Sequence, residues 1–321
     1  MRSYIYLGFS ILCGHYSQRR KMCIAFWLLE THPQFRFLLA LNRDEVHSRP
    51  TQAVHWWEEE NADIVGGKDC VAGGTWLASS ATGRLAFVTN FREPTSIPEA
   101  KSRGNLITRF LKSSKTPMEF AQEVAQEGEE YNGFNLILMD LCSGKIAYVT
   151  NRAEGTSCSV KEVSPGMHVL SNAQLDTPWP KVQRMRCKFE ELLQKFGQDE
   201  IPETQIIENI MKDTVHADRT MLPITGCDPD WEYELSPIFI ETESDRGPYG
   251  TRSMVVLSLK PTGQLTFYEQ YLEEGKWKEH KLTYEIKLDK LNCESKVLTD
   301  EMEGHRLVAG LSHFPAQQLV E

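Results

Sequence analysis

Cys23, Arg43, Asp44 and Glu45 are the residues of this chain whose types could act together chemically. A guanidinium beside a thiol favours the thiolate by opposite charge and so lowers its pKa. The same Arg-Asp-Glu run can equally form a structural ion pair, and both readings are open at this point.

Residues 23–45, CIAFWLLETHPQFRFLLALNRDE, are the stretch that must bring them together. Two apolar runs, Cys23 to Leu29 and Phe35 to Leu41, flank Thr31-His32-Pro33-Gln34, a polar, turn-prone set that predicts an antiparallel hairpin. Pro33 opposes one continuous helix, because it removes a backbone donor. Closing Glu30 against Phe35 places Cys23 opposite Asn42, next to Arg43 and Asp44. A slip of one residue changes the face each side chain takes but not that neighbourhood.

Polar clusters recur where other strands should end: Thr89-Asn90-Phe91-Arg92, Tyr131-Asn132-Gly133-Phe134-Asn135, Leu170-Ser171-Asn172-Ala173 and Tyr249-Gly250-Thr251-Arg252. Function gathers at such ends because a rigid scaffold aims the side chains there. Turn-capping by asparagine explains any single cluster as well.

The scaffold reads as mixed. Trp76–Thr89, Phe134–Thr150 and Met254–Tyr271 each run apolar, turn at Thr82-Gly83, Ser143-Gly144 or Thr262-Gly263, and return. With the opening hairpin this makes about eight antiparallel strands, several apolar throughout and so covered on both faces. Thr116-Pro117-Met118-Glu119 is a capping box that opens a helix to about Gln126. A second helix runs from Pro178 to Phe196 with Gly197 as its stop, and a third covers residues 203–213. The class is α+β, two packed sheets with helices outside. Trp56-Trp57 reads as packing before pocket, and Gly66-Gly67 and Gly73-Gly74 as turns.

A chain of 321 residues with 40% apolar content can bury a full core. Its net charge of −10 opposes binding to nucleic acid or to an anionic membrane surface, since both need clustered cations. The eight cysteines form no CxxC pair, which fits reduced thiols in a cytosolic or matrix-like compartment. No zinc signature, metal site or cofactor motif is evident, and no apolar run is long enough to span a membrane. Residues 1–21 read as a targeting presequence or as an extension upstream of a start at Met22, residues 22–287 as the domain, and 288–321 as an appended tail.

Met22-Cys23-Ile24, Asn42-Arg43-Asp44-Glu45 with Arg49-Pro50, Gly73-Gly74-Thr75-Trp76-Leu77, Thr89-Asn90 and Arg103-Gly104 then follow a recognisable order. Tyr131-Asn132-Gly133-Phe134-Asn135-Leu136, Leu170-Ser171-Asn172-Ala173, Thr177-Pro178-Trp179 and Tyr249-Gly250-Thr251-Arg252 continue it. In these motifs the chain resembles the transport and Golgi organization 2 homologue family, also called NRDE after its tetrapeptide. The likeness covers residues 22 to about 287.

The resemblance implies an αββα four-layer sandwich similar to the N-terminal nucleophile hydrolases. It implies links to Golgi organisation, secretion and mitochondria, hence a cytoplasmic, mitochondrial or Golgi-associated location, and the handling of acyl-coenzyme A, lipid or haem. It brings no settled catalytic activity. By similarity to the related cysteine amidases, Cys23 matches the nucleophile, Arg43 and Asp44 flank it, and Asn172 and Arg252 complete the site. An N-terminal amine, with a pKa of roughly 7.7–8.0, would serve as the base. An asparagine amide such as that of Asn172 would steady an oxyanion, a contact worth roughly 2.7–4 kcal/mol. That chemistry requires Cys23 to carry the chain terminus. Three functions follow: a non-catalytic carrier of a small-molecule ligand bound by Asn42, Arg43, Glu45, Asn90 and Arg252, a cysteine amidohydrolase, or an interaction protein in membrane traffic.

Overall fold

The computed structural model describes residues 22–288 apart from 59–60, 154 and 156–157. The readings placed on residues 1–21 and on most of the tail lie outside the described residues. In chain order the strands are β1 (Met22–His32), β2 (Phe35–Val46), β3 (Thr51–Trp56), β4 (Ile64–Asp69), β5 (Leu77–Ser80), β6 (Arg84–Asn90), β7 (Phe134–Asp140) and β8 (Lys145–Thr150). They continue with β9 (Ser159–Glu162), β10 (Gly166–Leu170), β11 (Glu241–Ser244), β12 (Gly247–Leu259), β13 (Gln264–Glu273) and β14 (Lys276–Glu285). The helices are α1 (Gly104–Lys112), α2 (Pro117–Gln126), α3 (Pro180–Phe196), α4 (Glu203–Ile206) and α5 (Pro229–Glu234).

Two seven-stranded antiparallel sheets form. One runs β10-β1-β2-β12-β13-β14, with β11 added to β12, and the other runs from β3 to β9 in sequence order. Alternation along the strands makes three apolar layers out of the two sheets. Trp27 of β1 faces inward and meets Phe87 of β6 edge-on, with 5.5 Å between ring centroids. Its neighbour Phe26 faces outward and stacks at 3.5 Å on Phe189 of α3. On the far side, Ile107 and Phe110 of α1 and Phe120 and Val124 of α2 cover the outer face of the second sheet. The order is therefore helix, sheet, sheet, helix, the α+β sandwich expected from the hairpin pattern. Each side chain so buried contributes roughly 1.5–3 kcal/mol.

Three local readings need correction. The opening hairpin is one residue out of the expected register: Cys23 pairs with Arg43, and Ile24 takes Asn42. The cause is a bulge between Leu29 and His32, where Glu30 adopts a φ of 54°, so that His32 closes on Phe35 over only Pro33-Gln34. Gly66 and Gly67 are no turn but part of β4; a Cβ at Gly66 would lie 2.6 Å from Ala78 Cβ, and one at Gly67 would lie 2.4 Å from the Trp76 ring. The third helix ends two residues early, at Met211, and changes from α-helical in α4 to π-helical over Ile207–Met211. Trp56 and Trp57 pack into the core, as their spacing suggested.

Candidate binding cavity at the strand ends

The polar clusters picked out by sequence meet at one end of the sandwich. Thr89 Oγ1 donates to Ser171 O at 2.6 Å, Asn172 Nδ2 donates to Asn90 O at 2.8 Å, and Asn135 Nδ2 donates to Ala173 O at 2.9 Å. These bonds tie the end of β6 and the start of β7 in one sheet to the residues that follow β10 in the other. Ser171 Oγ then donates to Cys23 O at 3.2 Å, which brings the start of β1 into the same junction.

Beside it opens a cavity of about 380 Å³. Cys23, Arg43, Asp44 and Glu45 line it from the first sheet, and Trp76 and Asn90 from the second. Arg49 and Asp69 close one wall, while the opposite wall is the loop Pro98–Gly104 that leads into α1. Asn42, Asn172 and Arg252 are not among its lining residues. Asn42 is turned to the opposite face of β2 and donates to Met211 O and Ile238 O, both at 2.9 Å. Asn172 is fully buried as the clasp described above. Arg252 is diverted by a bulge in β12 between Thr251 and Ser253, and its Nη1 donates to the carbonyls of Val46, His47 and Arg49 at 3.1, 3.0 and 2.7 Å.

Cys23 is 6% exposed, and burial pushes its thiol from 9.0 up to about 12, with the charge of Asp44 adding to the rise. The Asp44 backbone N–H and Arg43 pull the other way and do not prevail. The nitrogen of Cys23 is a peptide amide shared with Met22, whose own N–H donates to Tyr249 Oη at 2.8 Å. Burial also raises the Asp44 carboxyl and lowers the Lys181 ammonium, two groups that feel each other's charge. Thr251 Oγ1 donates to Asp44 Oδ1 at 2.7 Å, and Lys181 Nζ donates to Leu235 O at 3.0 Å.

Arg43 is 4% exposed, and its guanidinium stands 4.2 Å over the Trp76 ring. Its Nη2 is 3.6 Å from Glu45 Oε2, whereas Nη1 has no acceptor. Arg49 donates through Nε and Nη2 to Asp69 Oδ2 at 2.9 and 2.8 Å. Behind Met22, Arg92 Nε donates to Glu232 Oε1 at 2.7 Å in a fully buried pair. Trp76, Lys101 and Arg103 stand out in the fold and not in the sequence, although Trp76 and Arg103 lie in motifs that carry the resemblance. Lys181 and Glu232 carry no signal at all, since only the fold brings α3 and α5 to this end.

A family model described as Transport and Golgi organisation 2 matches residues 22–274. The chain belongs to that family. A mouse Transport and Golgi organization 2 homolog is 31% identical over 83% of this chain and 99% of its own length. The human homolog is 33% identical over 78% of this chain and 92% of its own. A solved Caenorhabditis elegans N-acylethanolamine-hydrolyzing acid amidase ortholog is similar at 12% identity and a TM-score of 0.31, over 58% of this chain and 84% of that one. Family membership supports the Golgi-organisation connection in the relatives' names and leaves the ligand to chemistry. No described helix is long and apolar enough to cross a membrane.

Proposed function

We propose that the chain is a non-catalytic carrier that holds acyl-coenzyme A, lipid or haem in the strand-end cavity, in a cytoplasmic or mitochondrial setting. The observation that carries this reading is the pairing of a ligand-sized hollow with an inactivated thiol. About 380 Å³ falls within the usual range for small-molecule sites, while burial pushes the thiol at its floor up to about 12. A thiol held protonated is a poor nucleophile, whereas Arg43, Arg49 and Arg103, which line the cavity, supply positive charge for an anionic ligand.

The test is retention of dodecanoyl-coenzyme A, dodecanoate and haem by the purified chain, with Arg43→Gln beside it. Retention of at least one ligand, weakened about tenfold by loss of a charged donor, supports the carrier. Failure of all three to bind would overturn it.

A second reading is favoured by one observation: Cys23, Arg43 and Asp44 line the same cavity. Were the chain trimmed before Cys23, the new amine could serve as base for a cysteine amidohydrolase. Intact-mass analysis of protein from its native cells decides this, since a retained Met22 removes the base.

A further inference from the structure

We propose that residues 93–103, the stretch between β6 and α1, form a lid on the cavity and that the Asn132 side chain is its latch. The inference rests on the carrier reading for what passes the lid, and it names the wall that moves. Pro98, Ala100, Lys101, Ser102 and Arg103 supply that wall. None of residues 93–103 is fully buried, and Ile97 is 46% exposed. A wall that puts no side chain into the apolar cores can open locally without unfolding the sheets behind it. Its two ends stay fixed: Arg92 is buried against Glu232, and a Cβ at Gly104 would lie 2.8 Å from the Thr75 carbonyl oxygen.

Polar bonds hold the lid down, and they converge on one short stretch. Midway along it, Ile97 N–H donates to Asn132 Oδ1 at 2.7 Å and Asn132 Nδ2 donates back to Ile97 O at 2.9 Å. At its start, Glu93 accepts from Gly133 N–H at 2.9 Å and from Arg152 Nε at 2.7 Å. At its end, Lys101 N–H donates to Glu130 O at 3.0 Å and Arg103 Nη1 donates to Gly133 O at 2.7 Å. Residues 130–133, just before β7, therefore receive the lid at its start, middle and end. Bonds of this kind exchange for bonds to water at small net cost, unlike the burial that holds the sheets together.

Asn132 also lines the cavity, so the latch stands where a ligand arrives. A ligand group that takes this amide competes with Ile97 for it, which links binding to opening. The Tyr131-Asn132-Gly133 motif thereby gains a role that the charged walls do not give it. Size points the same way. About 380 Å³ is near the low end for small-molecule sites, roughly 300–1,000 Å³, whereas acyl-coenzyme A and haem are large ligands. Admitting either requires a wall to move, and a wall pinned by polar bonds yields before one built from strands.

The experiment reads access through Cys23, which lines the cavity. The full chain, Asn132→Ala, Glu93→Ala and a remote control, Lys195→Gln, are treated with iodoacetamide at pH 10. Labelling is followed by peptide mass analysis, with hydrogen exchange measured beside it. Both lid variants should label Cys23 about tenfold faster than the wild type, with exchange quickened over 93–103 and unchanged in β6 and β7. Lys195→Gln should match the wild type. Glu93 does not line the cavity, so faster labelling in Glu93→Ala cannot come from an enlarged hollow, and this variant decides the matter where Asn132→Ala fails to fold. Unchanged Cys23 labelling in Glu93→Ala, or exchange quickened equally in β6 and β7, overturns the lid. Ligand retention separates the two proposals. Faster labelling with no dodecanoyl-coenzyme A, dodecanoate or haem retained leaves the lid standing without the carrier. Retention with unchanged labelling leaves the carrier standing without the lid.

Discussion

The Arg43 guanidinium and the Trp76 ring lie 4.2 Å apart, and the same ring is close enough to Gly67 that a methyl group there would overlap it at 2.4 Å. The glycine thus backs the tryptophan, and the tryptophan backs the arginine. Gly67→Ala should displace the ring and with it the guanidinium. We expect a loss of about 1–3 kcal/mol in urea unfolding, the usual cost of overpacking, together with weaker ligand retention. A variant matching the wild type in both would show that the ring has room to move.

Cys23 offers a test by pH. A folded-state value near 12, raised from 9.0 first by burial, means that the protonated thiol is what the fold favours. Its contribution to stability is fully present below the unfolded-chain value and is lost as pH rises toward 12. Iodoacetamide at pH 8 should therefore leave Cys23 unlabelled in the native chain while it modifies the exposed Cys70 and Cys187, as peptide mass analysis would show. Labelling of Cys23 should climb about tenfold per pH unit without a plateau below pH 11. A plateau near neutrality would mean an activated nucleophile and would favour the amidohydrolase.

The hairpins and the capping box of α2 were legible because each rests on residues adjacent in sequence. Two apolar runs around a turn, or Thr116 with Glu119, need no distant partner to be recognised. The register of the first hairpin was not, because a bulge at Glu30 leaves no mark in the apolar pattern. The cavity was half visible. Cys23, Arg43, Asp44, Glu45 and Asn90 belong to it, whereas Asn42 sits one residue from Arg43 and so faces the other side of β2. Lys181, Glu232 and the start of α1 reach this end only through long-range packing, which local patterning does not encode.

Arg252 illustrates how a motif residue can serve the site indirectly. Its three carbonyl acceptors, at Val46, His47 and Arg49, span the turn that follows the Asn-Arg-Asp-Glu run. Burial, with the like charge of Arg43, brings its pKa down to about 10. Arg252→Met should leave those carbonyls without their donor and cost about 2–3 kcal/mol in thermal or urea unfolding. Arg252→Lys should recover only part of this, since a lysine ammonium also offers several donors but ends short of the Nη1 position. Full stability in Arg252→Met would place the hold on this turn elsewhere.

Arg92 and Glu232 form the most deeply buried ion pair at this end, at 2.7 Å with side chains 2% and 5% exposed. Thr225 also donates to the same Glu232 oxygen. Removing one charge strands the other in a dry site, so Arg92→Met alone and Glu232→Leu alone should each cost about 3–5 kcal/mol. Removing both charges spares the desolvation of each, and the Arg92→Met, Glu232→Leu double variant should return to within about 1–2 kcal/mol of the wild type. The double-mutant cycle measures this by urea unfolding. Additive losses in the double variant would mean that the pair holds nothing together and that each residue acts through separate partners, Met22 for Arg92 and Thr225 for Glu232.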